Sequence, residues 1–250
     1  MLYETNPNKG KLKFMGLSLK RRDACDYLKD VYGGVLTILM KDPNNIQAAT
    51  DFLAKSLDDL IKGQVSMDKL AITKSLKSDY KNPKQIAHNV LAERIGEREP
   101  GNKPKPGDRV KYVYFVNIDK KALQGDRIET PNYIVAKNLK IDYTHYITNQ
   151  LMKPLQQLFG LGLDKIYLHM NNKQKERQQY YSEMGRLEKE YLLGEEGENI
   201  EKFMKVKEKY TSAKIKELLF QPFLTKIYNT QNGIQTIDNL FSRLPPARKI

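Results

Sequence analysis

Apolar residues recur every three or four positions over much of this chain, the spacing that places side chains on one face of an α-helix. A first stripe follows Asp23 and consists of Leu28, Val31, Val35 and Leu39. A second follows the helix-start signal Asp42-Pro43 and consists of Ile46, Ala49, Leu53, Leu57 and Leu60. Further helices are predicted to start at Asn82, Pro131 and Asp142. The pattern therefore predicts a mainly helical protein.

Glycine and proline mark the places where these helices are interrupted or end. Gly33-Gly34 lies inside the first helix, where a close neighbour or a break in the helix would explain the pair. Gly63 is expected to end the second helix. Pro154 is expected to kink or end the helix that starts at Asp142, because its ring clashes with the carbonyl one turn earlier.

Strand character is confined to a few short stretches. Val110–Val116 is rich in aromatic and β-branched residues and predicts the best strand in the chain. Leu70–Leu76 predicts a short strand or an extended loop, and Leu12–Leu19 predicts another short strand. Together with the helices, these stretches predict an α+β protein that is mostly α, with a small β-sheet.

The pattern changes beyond residue 170. Asn172–Leu193 predicts a polar helix, and Ile200–Phe220 predicts a second long helix. The glycine-containing segment Gly194–Gly197 lies between them. The two helices are therefore expected to pair as an antiparallel hairpin that forms a helical C-terminal extension.

The net charge indicates which kind of molecule this protein binds. The chain carries 43 Lys and Arg against 30 Asp and Glu, a formal net charge of +13. Residues 1–170 hold 28 of the basic and 19 of the acidic residues, and such a basic body favours a polyanionic partner, above all nucleic acid. No stretch is long and apolar enough to span a membrane, and the single cysteine, Cys25, excludes internal disulfides and cysteine-rich zinc modules. A soluble protein of a reducing intracellular compartment is expected.

Two clusters of basic residues are candidates for phosphate binding. The first surrounds the short strand near the beginning of the chain and consists of Lys11, Lys13, Lys20, Arg21 and Arg22. The second lies among small polar residues and consists of Lys74, Lys77, Lys81 and Lys84, with Tyr80 between them. Cations, hydroxyls and backbone amides are the groups that contact DNA phosphates. The clusters predict a DNA-binding surface, against the alternative of a solvated charged face.

Other polar residues have a structural or a functional interpretation. Arg109 either forms an ion pair with its neighbour Asp108 or reaches a phosphate. His88 is expected to serve in the core or as a cap, since no nucleophile stands near it. The histidines show no metal-ligand spacing, so neither a catalytic nor a metal-binding residue is predicted in this chain.

A series of local motifs over residues 9–158 resembles, in the same order, the end of the family B DNA polymerase chain, most like the polymerases of large DNA viruses. The motifs are Lys11-Leu-Lys-Phe-Met-Gly-Leu17, Lys20-Arg-Arg-Asp23, Ile72-Thr-Lys-Ser-Leu76, His88-x-x-Leu-Ala-x-Arg94, Arg98-Glu-Pro-Gly101, Gly107-Asp-Arg-Val-x-Tyr-Val113, Gly125-Asp-Arg-Ile-Glu129, Asp142-x-x-x-Tyr146 and Asn149-Gln-Leu-Met-Lys-Pro154. The first motif departs from the family at Leu12 and Phe14, where the family has a lysine and a tyrosine. A minor-groove contact that is usual in the family is therefore in doubt at those two positions.

The resemblance implies a division of the chain and a function. Residues 1–22 would be the C-terminal edge of a delta-like polymerase palm, residues 23–170 a helical thumb that grips the primer–template duplex, and residues 171–250 an extension. The family's partners would be duplex DNA and the remaining polymerase domains. Its Tyr-Gly-Asp-Thr-Asp-Ser and Asp-x-x-Ser-Leu-Tyr-Pro motifs, which serve Mg²⁺-dependent catalysis in the complete enzyme, do not occur here. The chain alone is expected to bind DNA without extending a primer.

Two other function classes remain alternatives at this point. One is a free-standing, non-catalytic nucleic-acid-binding protein, and the other is a helical scaffold whose lysines only confer solubility. The end of the chain resembles a sliding-clamp-binding peptide, with Gln235 one position late and Ile237, Leu240 and Phe241 as the apolar plug. A short amphipathic helix that packs on the body would explain the same residues, so a sliding clamp is a partner only under the first interpretation.

Overall fold

The structure, a computed structural model, describes residues 2–4, 12–14, 24–119, 121–170, 173–193 and 199–234. Helices dominate and surround a small antiparallel sheet, so the predicted class, α+β and mostly α, is confirmed. The strands are β1 Leu2–Glu4, β2 Leu12–Phe14, β3 Ile72–Ser75, β4 Arg109–Tyr114 and β5 Ile128–Glu129. The helices are α1 Asp26–Lys41, α2 Ile46–Ile61, α3 Met67–Leu70, α4 Ala87–Arg98, α5 Pro131–Ala136, α6 Tyr143–His145, α7 Met152–Gly160, α8 Leu163–His169, α9 Gln174–Tyr191, α10 Ile200–Ile215 and α11 Gln221–Gln231. None of these described helices could cross a bilayer.

Helices α1 and α2 pack against each other, and a glycine permits their close contact. Helix α1 continues without a break through Gly33-Gly34. A Cβ atom on Gly34 would lie 2.4 Å from Cζ of Phe52 in α2. The close approach of Phe52, and not a break in the helix, therefore explains the glycine at position 34.

The predicted start of α2 at Asp42-Pro43 is wrong by about one turn. Helix α2 begins at Ile46, because the Asn45 side chain accepts a hydrogen bond from the backbone N–H of Ala48 at 3.3 Å and caps it. Asp42 instead ends α1, where its backbone N–H donates to Ile38 O at 3.2 Å. Asn45, which directly precedes the first buried residue of α2, therefore serves as its N-cap.

The helix that starts at Asp142 does not end at Pro154. The Asp142 side chain accepts from His145 N at 3.0 Å, and the helix runs through α6, a π-helical segment over Tyr146–Leu151, and α7. The carbonyl that would meet the proline ring belongs to Gln150, within the π-helical segment. The wider turn there rearranges the backbone hydrogen bonds just before the proline and lets the helix continue.

Strands β3, β4 and β5 form a three-stranded antiparallel sheet in that order. Its inner face carries the buried side chains of Ile72, Val110 and Tyr112. The sheet continues one pair beyond Ser75, since Leu76 N donates to Asp108 O at 2.9 Å and Gly107 N donates to Leu76 O at 3.0 Å. Gly107 has φ +96°, a conformation that favours glycine, and it closes the turn into β4.

The extension packs on the body of the protein instead of standing apart. Helices α9 and α10 contact each other as the predicted hairpin, and Asn199 N donates to Tyr191 O at 2.7 Å where they meet. Helix α10 packs on α7, with Gln156 Nε2 donating to Ser212 O at 2.8 Å. Helix α11 returns to α2, where Lys226 Nζ lies 2.8 Å from Asp58 Oδ1. The division at residue 170 stays a prediction, and the apolar core is continuous across it.

Candidate nucleic-acid interface

The outer face of the β3–β4 pair collects polar side chains at one end of the sheet. In the antiparallel register Ser75 lies opposite Arg109, and Thr73 lies opposite Lys111. Residues that are directly opposite share a face, so these four side chains line the side away from the core. Ser75, Arg109 and Lys111 are exposed, and Lys111 Nζ lies 2.6 Å from Asp68 Oδ1. The strand end thus offers a hydroxyl and a guanidinium side by side.

The loop that follows β3 carries three further exposed cations. Lys77, Lys81 and Lys84 are exposed, and within the part of the chain that the structure describes none of them forms an ion pair. Exposed Ser78 and Asn82 provide additional hydrogen-bonding groups in the same loop. Other cations of the body, among them Lys69, Lys103 and Lys111, are held by carboxylates, whereas the three loop cations stay available to an external anion.

The two interpretations of Arg109 differ in what Asp108 contacts. The Asp108 carboxylate accepts a hydrogen bond from the backbone N–H of Lys105 at 2.7 Å, which fixes the turn before β4. No ion pair joins Asp108 to Arg109 among the described residues. The structural ion pair is therefore not formed, and Arg109 is exposed to solvent on the outer face of the sheet.

Lys74 and Tyr80, both predicted to contact DNA, lie differently from the rest of the loop cluster. Lys74 is opposite Val110 on the inner side of the sheet and is half-buried, and its positive charge helps to lower the pKa of His88. Tyr80 is also half-buried, and its hydroxyl accepts from Lys77 N at 2.8 Å and lies 3.0 Å from His88 Nε2. His88 is half-buried and does not cap α4, so in place of the core or capping role that the sequence suggested it is a hydrogen-bonding partner of Tyr80.

A buried carboxylate behind the interface explains three of the motif residues. Glu129 is 3% exposed, and both of its oxygens accept hydrogen bonds from Arg98 Nη2 at 3.0 Å. Arg94 Nε lies 2.9 Å from Oε1 in an ion pair too bent for a hydrogen bond, while its Nη2 donates to Gly125 O and Ile128 O at 2.9 and 2.7 Å. These contacts tie α4 to β5, and they give Arg94 and Arg98 structural roles. Sequence reasoning quoted all three residues as motif positions but did not predict that they contact one another.

Several predicted site residues lie outside the described residues. In the first basic cluster these are Lys11, Lys20, Arg21 and Arg22. Lys13 is described by its backbone alone, which pairs with Tyr3 in the β1–β2 ladder. The tail residues Gln235, Ile237, Leu240 and Phe241 also lie outside the described residues. The geometry of the interface therefore rests on the second cluster and Arg109.

The part of the protein that the structure describes contains no cluster of carboxylates of the kind that binds catalytic metal ions. No group of three or more His, Cys, Asp or Glu residues there could hold a metal ion. Glu129, the most deeply buried of the described carboxylates, is bound by two arginines. The residues present in these ranges do not fit a two-metal centre, which needs carboxylates that bridge both ions.

Comparisons with known proteins match this chain to DNA polymerases. The family model described as DNA polymerase family B matches residues 1–161. A protein named DNA polymerase from Pyramimonas orientalis virus is 43% identical over 246 residues, which is 98% of this chain and 20% of the relative. The DNA polymerase of Acanthamoeba polyphaga mimivirus is 45% identical over 169 residues, 66% of this chain and 10% of the relative. The DNA polymerase delta catalytic subunit of Caenorhabditis elegans is 38% identical over 160 residues, 63% of this chain and 15% of the relative. The chain thus spans a fifth or less of the length of these relatives.

Proposed function

This chain belongs to DNA polymerase family B, and from that premise we propose that it binds the primer–template duplex as the thumb of a DNA-directed DNA polymerase. The observation that carries the proposal is a set of exposed cations, on the loop after β3 and at the start of β4, that form no ion pair with any described residue. They are Lys77, Lys81, Lys84 and Arg109. Duplex DNA presents closely spaced phosphates that such cations neutralise with release of counterions.

The chemistry of this surface suits binding without sequence preference. Lysine, arginine and serine side chains on a loop and a strand end contact phosphate oxygens, which carry no sequence information. A polymerase that advances along any template needs contacts of this kind. In this proposal residues 23–170 hold the duplex behind the active site, and residues 1–22 belong to the edge of the palm.

We place the nucleotide-transfer chemistry in a part of the polymerase outside these 250 residues. The carboxylate motifs that hold two magnesium ions in the family do not occur in this sequence. The remaining polymerase domains are therefore proposed partners of this chain, and Mg²⁺ is a proposed cofactor of the complete enzyme. The sliding clamp, contacted through Ile237, Leu240 and Phe241, is a further proposed partner, and binding of a peptide of residues 228–250 to the cognate clamp tests it.

The test of duplex binding is charge reversal in the loop. The variant combines Lys77→Glu, Lys81→Glu and Lys84→Glu, and its affinity for two duplexes of unrelated sequence is measured over a range of salt concentrations. The affinity is expected to fall to a similar extent on both, and the slope of log K against log salt to flatten by about 3. The matched control reverses Lys189, Lys202 and Lys209, which are exposed on α9 and α10.

The control separates a specific surface from net charge. Both triple variants change the net charge equally, so a protein bound only through its overall charge would lose affinity equally in both. Equal losses, or an unchanged salt slope in the loop variant, would contradict the proposed interface. A wild-type chain whose affinity for duplex DNA is negligible at low salt would favour the helical scaffold.

A further inference from the structure

The hydroxyl of Tyr80 joins two parts of the DNA-binding loop to the helix behind it. It accepts a hydrogen bond from the backbone N–H of Lys77 at 2.8 Å, and it lies 3.0 Å from Nε2 of His88 in α4. The two rings meet edge to face, with centroids 5.8 Å apart. The first lysine of the loop is thus fixed, through one tyrosine, to a helix whose other end is bound to Glu129.

The protonation state of His88 fits this arrangement. Burial lowers the pKa of His88, the positive charge of Lys74 lowers it further, and a hydrogen bond with the backbone of Ser75 opposes the shift. A neutral ring leaves Nε2 free to accept the hydrogen of the Tyr80 hydroxyl. The hydroxyl oxygen then keeps its lone pairs for the N–H of Lys77, so both hydrogen bonds form together.

The Tyr80 hydroxyl therefore makes both of its hydrogen bonds within the protein. Its ring is half-buried against the core, whereas the neighbouring Lys77 and Lys81 side chains are exposed. A group in this position can influence DNA binding only through the loop that it holds. Fixing the loop in advance would remove part of the entropy cost of ordering its backbone on DNA.

We propose that Tyr80 and His88 are positioning residues, which hold the Lys77–Lys84 loop in its DNA-binding shape and do not themselves contact DNA. This inference rests on the proposed function of the loop. It replaces the direct phosphate contact that the sequence suggested for Tyr80. It also gives His88 a purpose beyond packing, since its partner is the residue that fixes Lys77.

The test is a double-mutant cycle in the 250-residue chain. Tyr80→Phe removes the hydroxyl and keeps the ring, and His88→Leu removes the acceptor. Each is expected to lower duplex affinity about threefold to tenfold, the range for one hydrogen bond. The double variant should lose little more than either single variant, because both changes break the same link. His88→Gln, whose amide oxygen accepts a hydrogen bond, should restore most of the affinity.

Two additional measurements make the cycle specific. Amide hydrogen exchange at Lys77 should become faster in Tyr80→Phe and in His88→Leu, with or without DNA, while the temperature of unfolding changes little. Tyr228→Phe, at a tyrosine that is 60% exposed on α11, serves as the matched control and should alter neither quantity.

The outcomes separate this inference from the proposed function. Additive losses, or a loss in Tyr80→Phe with wild-type affinity in His88→Leu, would show that Tyr80 contacts DNA directly and would overturn the positioning role. Unchanged affinity in both single variants, with a weakened Lys77–Lys81–Lys84 reversal variant, would overturn it and leave the interface intact. No loss in the reversal variant would overturn the interface and the inference together.

Discussion

At the scale of single residues, buried polar groups decide what several motif positions do. Glu129 is held by Arg94 and Arg98, and the guanidinium of Arg98 also stacks on the ring of Tyr133 at 3.9 Å from its centroid. A buried carboxylate without such partners would be strongly destabilising. The motif arginines therefore stabilise the junction of α4 and β5, and the exposed cations of the loop are left for an external anion.

His145 predicts a dependence of stability on pH. Its ring stacks on Tyr114 with centroids 3.4 Å apart, and burial, aided by the charge of Arg127, lowers its pKa to about 4. The unfolded chain binds a proton at about pH 6.5, so the folded state loses stability as pH falls from there toward 4, by up to about 1.4 kcal/mol per pH unit. Urea unfolding at several pH values should show that His145→Gln lacks this part of the slope.

The matched control is His169→Gln, at a histidine that is exposed on α8. It should keep the wild-type slope. His88, whose pKa is also lowered, contributes in the same direction and is present in both variants. Identical slopes for His145→Gln and the wild-type chain would mean that His145 is not buried as a neutral ring.

At the scale of elements, close approach between helices is what requires glycine within a helix. Gly34 faces the ring of Phe52 across the α1–α2 contact, and a Cβ atom there would lie 2.4 to 2.5 Å from two ring carbons. Gly185 in α9 is different, because a Cβ atom at that position would meet nothing within 4 Å. The same residue type is therefore required at one helix position and not at the other.

Alanine at each glycine separates these two situations. Gly34→Ala is expected to lower the free energy of unfolding by about 1–3 kcal/mol, because Phe52 must leave its position to make room. Gly185→Ala should raise it by up to about 1 kcal/mol, since alanine favours the helix and nothing opposes the methyl group. Urea unfolding of both variants measures this, and a stabilising Gly34→Ala would show that α1 and α2 are not in close contact.

At the scale of the whole molecule, the apolar core joins the part matched by the family model to the extension beyond it. The match ends at residue 161, in the turn after α7, and α7 itself packs against α10. Phe159, Ile215 and Phe220 are fully buried in this shared core. The extension is thus expected to unfold together with the part of the chain that the family model matches.

Truncation of one core side chain tests this cooperativity. Ile215→Ala in α10 should destabilise the protein by about 2–5 kcal/mol, and Ile200→Ala, 56% exposed in the same helix, by less than about 0.5 kcal/mol. Hydrogen exchange is measured at increasing urea concentrations. In Ile215→Ala the amides of α2 and of α10 should lose protection at the same urea concentration, and this concentration should be lower than in the wild-type chain. Protection of α2 that does not change in Ile215→Ala would mean that the extension is an independent unit.

The sequence alone determined the features that depend on local chemistry and on periodicity. Helical spacing of apolar residues predicted the long helices and the α+β class, and the ordered motifs identified the polymerase family. The loop lysines and Arg109 were candidates because a run of cations among small polar residues is visible without coordinates. The helix starts predicted at Asp42-Pro43 and at Asn82 and the effect of Pro154 went wrong. A competing cap, the separate 3-10 turn Pro83–Gln85 before α4 and a π-helical segment are not encoded in the apolar pattern.

Tertiary structure decided which polar groups are partnered and which are free. The lysines of one cluster look alike in the sequence, yet the β3–β4 register turns Lys74 toward the core while Lys77 stays exposed. Tyr80 and His88 are eight positions apart, and only the packing of the loop on α4 makes them hydrogen-bonding partners. Glu129 finds its arginines 31 and 35 positions earlier in the chain. Contacts between residues so far apart depend on how elements pack, and no local pattern records them.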